Sequence, residues 1–324
     1  MTTDLKGKHF ITTQEWSTEE LERVLALATE LKAARAAGRP MRLLEDRTLY
    51  MIFFDASTRT RNSFETGMTQ LGGHAIYLSP DRMQISHGEN AKDTANVLSR
   101  YGEGIAIRHC AYGEGNAYLR EVARHASVPV INMQCDIYHP CQILADLMTI
   151  REKLGTGRGI KLGVAWTSAP NYVRPISVPQ SLVLLMPRFG VDVTLACPPE
   201  FRLTPEIEEQ ARVNAAAAGS SFEISGRFED AFADADVVIP KSWGPLLHTR
   251  DHAESLALIE RYPTWRCDAE RMALGKDHIL YMHPLPADRG REVTDEVIDG
   301  PHSVVYDEAE NRLHVQKALM SLTM

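Results

Sequence analysis

The stretch TLYMIFFDASTRTR, residues 48–61, decides the fold. Leu49 to Phe54 is a short, continuous apolar run rich in β-formers, the pattern of a strand buried on both faces of a parallel sheet. It ends in Asp55-Ala56-Ser57, after which Thr58-Arg59-Thr60-Arg61 opens an amphipathic segment with Phe64, Met68 and Leu71 on one side. Hydroxyls and guanidiniums therefore crowd a helix N-terminus, where free backbone N–H groups and the helix dipole attract anions and arginine offers a bidentate fork to phosphate oxygens. The same residues also suit an ordinary Ser/Thr cap followed by two solvated arginines.

Working outward, alternating strands and helices predict an α/β chain with two doubly wound parallel sheets. Ser17 to Ala34 reads as a capped amphipathic helix. Next come strands at Ala75–Leu78, Ile105–Arg108 and Val128–Asn132, a polar loop at Ser79–Asn90, and helices near Lys92–Tyr101, Tyr118–His125 and Ile143–Ile150. After a glycine-rich hinge at Gly155–Gly159, a second series has strands at Lys161–Trp166, Asp192–Cys197, Val237–Ile239 and Ile279–Met282, and a helix at Glu206–Ala218. The expected domains are residues 1–154 and 155–300, with 301–324 packing back on the first. Ligands of such sheets bind beyond the carboxyl ends of the strands, where Asp55–Arg61, Arg108 and His139 fall. On residues alone, Arg108 also suits a surface ion pair and His139 a helix cap.

The chain has 324 residues, enough for two cores, and a net charge of −8 with acids and bases interspersed, which argues against nucleic acid or anionic membrane as the main partner. The five cysteines form no CxxC pair, so reduced thiols are expected and neither a zinc site nor a disulfide framework is implied. No apolar run reaches membrane-spanning length and the N-terminus lacks a signal pattern, so the expected location is cytoplasmic. The turn Trp166-Thr167-Ser168-Ala169-Pro170 lacks dinucleotide-binding glycine spacing, which disfavours a nicotinamide oxidoreductase.

Ser57-Thr58-Arg59-Thr60-Arg61 resembles the carbamoyl-phosphate signature of the aspartate and ornithine carbamoyltransferase superfamily, and further similarities follow along the chain. His139-Pro140-Cys141-Gln142 is similar to the family's His-Pro-x-Gln motif, and His283-Pro284-Leu285-Pro286 to its His-Cys-Leu-Pro or His-Pro-Leu-Pro loop. Arg82–Glu89 resembles a loop that reaches across a trimer interface, with Gln84 at a carbamoyl-phosphate contact and Gly88 where the family has lysine. The tail Asp307–Lys317 resembles the last helix of acetylornithine enzymes, with Arg312 at a donor contact. The proline-rich loop Pro170–Pro179 and Pro240-Lys241-Ser242-Trp243-Gly244 resemble the knotted branch, which includes N-acetylornithine and N-succinylornithine carbamoyltransferases and less characterised ureido-catabolic relatives.

The resemblance implies a homotrimer without cofactor or metal, a trefoil knot in the second domain, and transfer of a carbamoyl group between carbamoyl phosphate and the amine of an amino acid or N-acylated diamino acid. Ser57, Thr58, Arg59 and Thr60 would hold phosphate, assisted by Gln84 of a neighbour. Arg108, His139 and Arg312 would face the carbonyl oxygen. Gln142, His283, Pro284 and Leu285 would orient the carbamoyl nitrogen. For the acceptor, Lys241, Trp243 and Arg289 would hold a carboxylate, and Asp136 or Asp288 a cation. Asp288 and Glu292 stand near places where acetylornithine enzymes carry arginine and lysine. Two alternatives stay open: catabolic phosphorolysis of a ureido acid to carbamoyl phosphate, and a catalytically silent phosphate-binding regulatory subunit.

Overall fold

The computed structural model describes residues 4–169 and 173–324, which divide into one unit of residues 4–145 and 310–324 and a second drawn from residues 146–309. In the first, helix α1 (Thr18–Ala36) starts with a complete capping box: Glu20 N donates to Ser17 Oγ while Ser17 N donates to the Glu20 carboxylate. Then follow β1 (Thr48–Phe53), α2 (Arg59–Gln70), β2 (His74–Leu78), α3 (Ala91–Leu98), β3 (Gly104–His109), α4 (Gly115–His125), β4 (Val130–Cys135) and α5 (Pro140–Leu154). The sheet order is β2-β1-β3-β4, all parallel. Phe10 bridges to Ile131 and so extends the β4 edge.

The run that decides the fold behaves as its composition requires, with Leu49 to Phe53 buried. Ile52 joins Ile105, Ile107, Leu119, Val122 and Val130 in one core cluster. Each such side chain contributes about 1.5–3 kcal/mol on leaving water.

The second unit runs through β5 (Lys161–Trp166), α6 (Ser177–Leu185), β6 (Asp192–Ala196), α7 (Pro205–Ala218), β7 (Phe222–Ser225), β8 (Val237–Lys241), α8 (His252–Ile259), α9 (Ala269–Met272), β9 (Leu280–Tyr281) and α10 (Asp295–Ile298). Its parallel sheet is ordered β7-β6-β5-β8-β9. The last helix, α11 (Val305–Thr323), starts in this unit and carries residues 310–324 back to the first.

Several expectations change. Strand β7 was not foreseen: it is four residues long, sits at a sheet edge and is only half-buried, so it carries no long apolar run. The polar loop at Ser79–Asn90 contains short 3-10 turns at Pro80–Arg82 and Gln84–His87, and Gly88 ends the second at φ +92, a conformation that side chains with a Cβ disfavour. The expected first boundary, at residue 154, falls at the end of α5, whereas the division by contacts runs inside that helix. Likewise α11 crosses to the first unit after Ala309, not after residue 300. Helix α6 begins at Ser177, so Pro179 lies in its first turn and not in the proline-rich loop. Residues 170–172 of that loop lie outside the described residues, and the knot expectation falls partly on them.

Gly163 on β5 marks the tightest approach in the second unit: a Cβ there would lie 1.7 Å from Ala231 O. Gly163→Ala is expected to lower the urea midpoint by the equivalent of about 1–3 kcal/mol, because backbone must move to admit the methyl. Gly226→Ala, where a Cβ meets nothing within 4 Å, is the control and should stay close to wild type.

Candidate active site

Each sheet has one place where the strand order reverses, β1 beside β3 in the first unit and β5 beside β8 in the second. Such reversals open a crevice at the carboxyl ends of the strands, because the connecting segments leave in opposite directions. Of the residues singled out in the sequence, Ser57–Thr60 and Arg108 fall at the first of these and Lys241 and Trp243 at the second, while Gln84, His139, Gln142, His283 and Arg312 lie on other segments.

In the first unit, Phe53 pairs with Arg108 across the reversal, and Phe54 N donates to Arg108 O at 2.9 Å. Asp55 Oδ2 accepts from Cys110 N at 2.7 Å, so a carboxylate clamps the end of β1 to the end of β3. Ser57 Oγ accepts from Thr60 N at 3.2 Å and shapes the start of α2, while Thr58, at the cap position, makes no side-chain capping bond. The opening at Ser57–Thr60 is thus a helix N-terminus with hydroxyls at Ser57, Thr58 and Thr60 and the Arg59 side chain at its first position. Arg61 turns aside, its guanidinium 4.0 Å from the Tyr77 ring centroid and 3.2 Å from Glu65.

Arg312, on α11, donates through Nη2 to Thr60 Oγ1, and both side chains are buried. Arg108 Nη1 donates to Gln134 Oε1 at 2.6 Å, and its buried Nε has no hydrogen-bond partner among the described residues. His139 precedes Pro140, the first residue of α5, and its carbonyl accepts from Gln142 N at 3.2 Å and Ile143 N at 3.4 Å. Proline suits that first position because its missing N–H would have no helical partner there. His139 therefore occupies the cap position of α5, and Gln142 lies buried in its first turn. Gln84 sits in the exposed 3-10 turn, with Oε1 3.2 Å from His87 Nδ1.

Asp136 does not fit the expected role of holding a substrate cation. Its carboxylate accepts from Gly113 N at 2.8 Å and Asn116 N at 2.7 Å, and so caps the start of α4.

In the second unit, Trp166 pairs with Lys241 across the reversal. Around it gather Thr167 after β5, Lys241 and Ser242 at the end of β8, and His283 after β9. Glu292, fully buried, lies at the centre. It accepts from Ser242 N at 2.6 Å, Asp288 N at 2.8 Å and Thr167 Oγ1 at 3.2 Å, and lies 3.4 Å from His283 Nε2 and 3.5 Å from Arg174 Nη2. Burial by itself would raise the Glu292 carboxyl, but a hydrogen bond from His283 and the charges of Lys241 and Arg174 hold it well below the usual carboxylate range. Burial lowers the His283 imidazole, against the opposing pull of Glu292.

Asp288 pairs with Arg174 at 2.9 Å, and Lys241 Nζ donates to Ser242 O at 3.0 Å. The loop His283-Pro284-Leu285-Pro286 is held by Glu308, which accepts from His283 N at 2.8 Å, and Leu285 has φ +52. Asp288 is therefore already charge-paired, and its partner Arg174 was missed in the sequence. Arg174 lies in the irregular segment between β5 and α6, where no periodicity marks it. Glu292 was noticed only as a departure from acetylornithine enzymes, since nothing in a linear sequence marks which carboxylate will be enclosed.

Two further acceptor expectations are corrected. Trp243 is fully buried, its indole Nε1 donates to Phe201 O at 2.8 Å, and its carbonyl accepts from Trp166 Nε1. It is a core residue that fixes the turn carrying Lys241. Arg289 is committed to Asp295 at 2.6 Å and Asp299 at 2.6 Å on the surface, so it is no carboxylate clamp here. No group of three or more His, Cys, Asp or Glu among the described residues could hold a metal ion, and no helix is long and apolar enough to cross a membrane.

Two consequences can be measured. Thr60→Val deprives the buried Arg312 guanidinium of one acceptor and should destabilise the first unit by about 1–3 kcal/mol in urea denaturation. His314, two residues along α11, is fully buried. Burial, helped by Lys317 and Lys32 and opposed by Glu310, pushes it down to about 4. Between its ordinary value near 6.5 and about 4 the unfolded chain binds a proton that the native state refuses, so stability falls as pH drops through that window. His314→Gln should flatten that part of the stability–pH curve, while leaving the slope above pH 7 as it is in wild type.

Comparison with known proteins agrees with this architecture. Residues 8–152 match the aspartate/ornithine carbamoyltransferase carbamoyl-P binding domain, and residues 175–323 match the Asp/Orn binding domain of the same family. An ornithine carbamoyltransferase from Methanoculleus marisnigri is 42% identical over 97% of this chain and 96% of its own length. The ornithine carbamoyltransferase structure from Pyrococcus furiosus superposes with a TM-score of 0.90 at 39% identity, covering 100% of this chain and 99% of that one. An acetylornithine transcarbamylase structure complexed with acetylcitrulline gives 0.90 at 35% identity, over 97% of this chain and 98% of that one. The chain belongs to the aspartate/ornithine carbamoyltransferase family and is a carbamoyltransferase.

Proposed function

We propose that the enzyme moves the carbamoyl group between carbamoyl phosphate, bound by the first unit, and the terminal amine of a diamino acid, free or N-acylated, bound by the second. The observation that carries the donor assignment is the α2 N-terminus, where Arg59 and the hydroxyls of Ser57, Thr58 and Thr60 cluster and Arg312 reaches Thr60. A helix N-terminus with an adjoining guanidinium matches a phosphate dianion in both charge and geometry. The names of relatives support the acceptor class: ornithine carbamoyltransferases among the sequences, and an acetylornithine transcarbamylase variant complexed with carbamyl phosphate and N-succinyl-L-norvaline among the structures.

In the proposed reaction the lone pair of the uncharged amine forms the new C–N bond at the carbamoyl carbon. The C–O bond to phosphate then breaks, and the departing phosphate takes the proton lost by the amine. Negative charge grows on the carbonyl oxygen during attack, so preorganised donors supply the rate enhancement, a role assigned to Arg108, His139 and Arg312. Gln142, with Pro284 and Leu285, would orient the carbamoyl nitrogen. Lys241 and Asp288 would meet the charged end of the acceptor. Gln84, exposed on its turn, would serve the site of a neighbour in a homotrimer.

Arg59→Ala is expected to abolish carbamoyl-phosphate binding in calorimetry and to reduce turnover at least 1,000-fold, on the order of 4 kcal/mol of lost transition-state stabilisation. Near-normal turnover in that variant would sink the donor assignment. The acceptor is tested by phosphate release from carbamoyl phosphate across ornithine, N-acetylornithine, N-succinylornithine and other amines, with phosphorolysis of the matching ureido acids as the reverse assay. Turnover only in the reverse direction would favour the catabolic reading. Stabilisation by carbamoyl phosphate with no turnover on any compound would favour a silent subunit.

A further inference from the structure

The His283-Pro284-Leu285-Pro286 loop is held in a backbone shape that its own sequence does not favour. Leu285 sits at φ +52, in the left-handed region that a residue with a Cβ avoids unless its surroundings over-determine it. One contact that holds it is explicit: Leu285 N donates to His283 Nδ1 at 2.9 Å. A backbone amide nitrogen can only donate, so Nδ1 must present its lone pair and the imidazole proton must reside on Nε2. Nε2 in turn lies 3.4 Å from Glu292 Oε1, an atom that can only accept while the carboxyl is ionised. A doubly protonated ring would set an N–H against the Leu285 N–H, so this arrangement requires neutral imidazole. Burial of His283 works in the same direction.

Resting on the carbamoyltransferase reading above, we propose that Glu292 is a positioning residue for the transfer step: it holds His283 as the Nε2-protonated neutral tautomer and, through His283 Nδ1, fixes the Leu285 backbone. The other oxygen contacts make the device rigid. The same carboxylate accepts from Thr167 beyond β5, from Ser242 beyond β8 and from Asp288 N beyond the loop, so three strand-end segments share one anchor. Arg174 lies 3.5 Å from its Oε2 and supplies the balancing charge. A change at Glu292 therefore reaches the reacting groups through the loop backbone and not by direct contact with substrate.

The experiment compares wild type with Glu292→Gln and Glu292→Asp. Glu292→Gln keeps the shape, but whichever way its amide turns, an N–H faces one of the donors that the carboxylate satisfies. The first readout is the imidazole 15N spectrum, with His283 assigned by its loss in His283→Asn. Wild type should show the Nε2-protonated neutral form across pH 6–8, and Glu292→Gln should show a mixture of tautomers. The second is kinetic: kcat of Glu292→Gln should fall at least 30-fold and recover in part in Glu292→Asp. Inhibition by inorganic phosphate, which needs only the first unit, should stay within twofold. A glutamate that merely supported the fold would lower the thermal midpoint and leave kcat of the folded enzyme and the tautomer unchanged; that result overturns the proposal. So does a wild-type His283 protonated on Nδ1, a measurement that decides the matter even if Glu292→Gln does not fold. A wild type without transfer activity would sink the carbamoyl reading, and the His283 tautomer would still decide this one.

Discussion

In each sheet the chain builds outward in one direction, returns to the middle and builds the other way, and that single reversal constrains everything functional in the molecule. Between β1 and β3, and again between β5 and β8, neighbouring strands send their connections apart, which opens a crevice at the strand ends. Polar groups placed there can be enclosed by protein and still face a ligand. Asp55 clamps the first pair of ends through Cys110 N, and Trp166 and Lys241 stand opposite each other at the second.

The two reversals carry different electrostatics. In the first unit, beside the Asp55 clamp, the groups at the start of α2 are hydroxyls, guanidiniums and the positive end of the helix dipole, which together favour negative charge. In the second, charges of both signs are already matched, with Glu292 and Asp288 against Arg174 and Lys241. A buried carboxylate is stable only when its lone pairs are filled, and Glu292 meets that condition through backbone and side-chain donors drawn from separate strand ends. Such a cluster adds little net stability compared with apolar packing, but removing one member leaves a charge uncompensated. That asymmetry makes the second site sensitive to single changes.

Much of this was legible in residue order. The continuous apolar runs at β1, β3 and β5 are local signals, and each became a buried strand with ends close to those expected. The helix start was legible too, because Ser57, Thr58, Arg59 and Thr60 are consecutive and stand at the opening of α2. Less was legible at the second reversal. The resemblance of Lys241-Ser242-Trp243 to the knotted branch, and the positive charge of Arg289, suggested acceptor contacts, yet Trp243 is locked into the core against Phe201 and Arg289 into surface ion pairs with Asp295 and Asp299. Strand β7, short and at an edge, had too little apolar content to announce itself.

The sequence by itself determined the α/β class and the buried parallel strands, and its motifs carried the resemblance to the carbamoyltransferase family. The class and strands follow from periodicity, and the resemblance rests on groups adjacent in the chain. The tertiary structure alone decided which charges are enclosed and with whom they pair. Thr60 and Arg312 lie at opposite ends of the chain, as do Thr167 and Glu292 within the second unit, and their contacts arise only when sheets and helices bring distant segments together. The enclosed partners that hold Glu292 ionised, and the contacts that His283 makes to Glu292 and to Leu285 N, belong to the packed interior, and no stretch of sequence carries them.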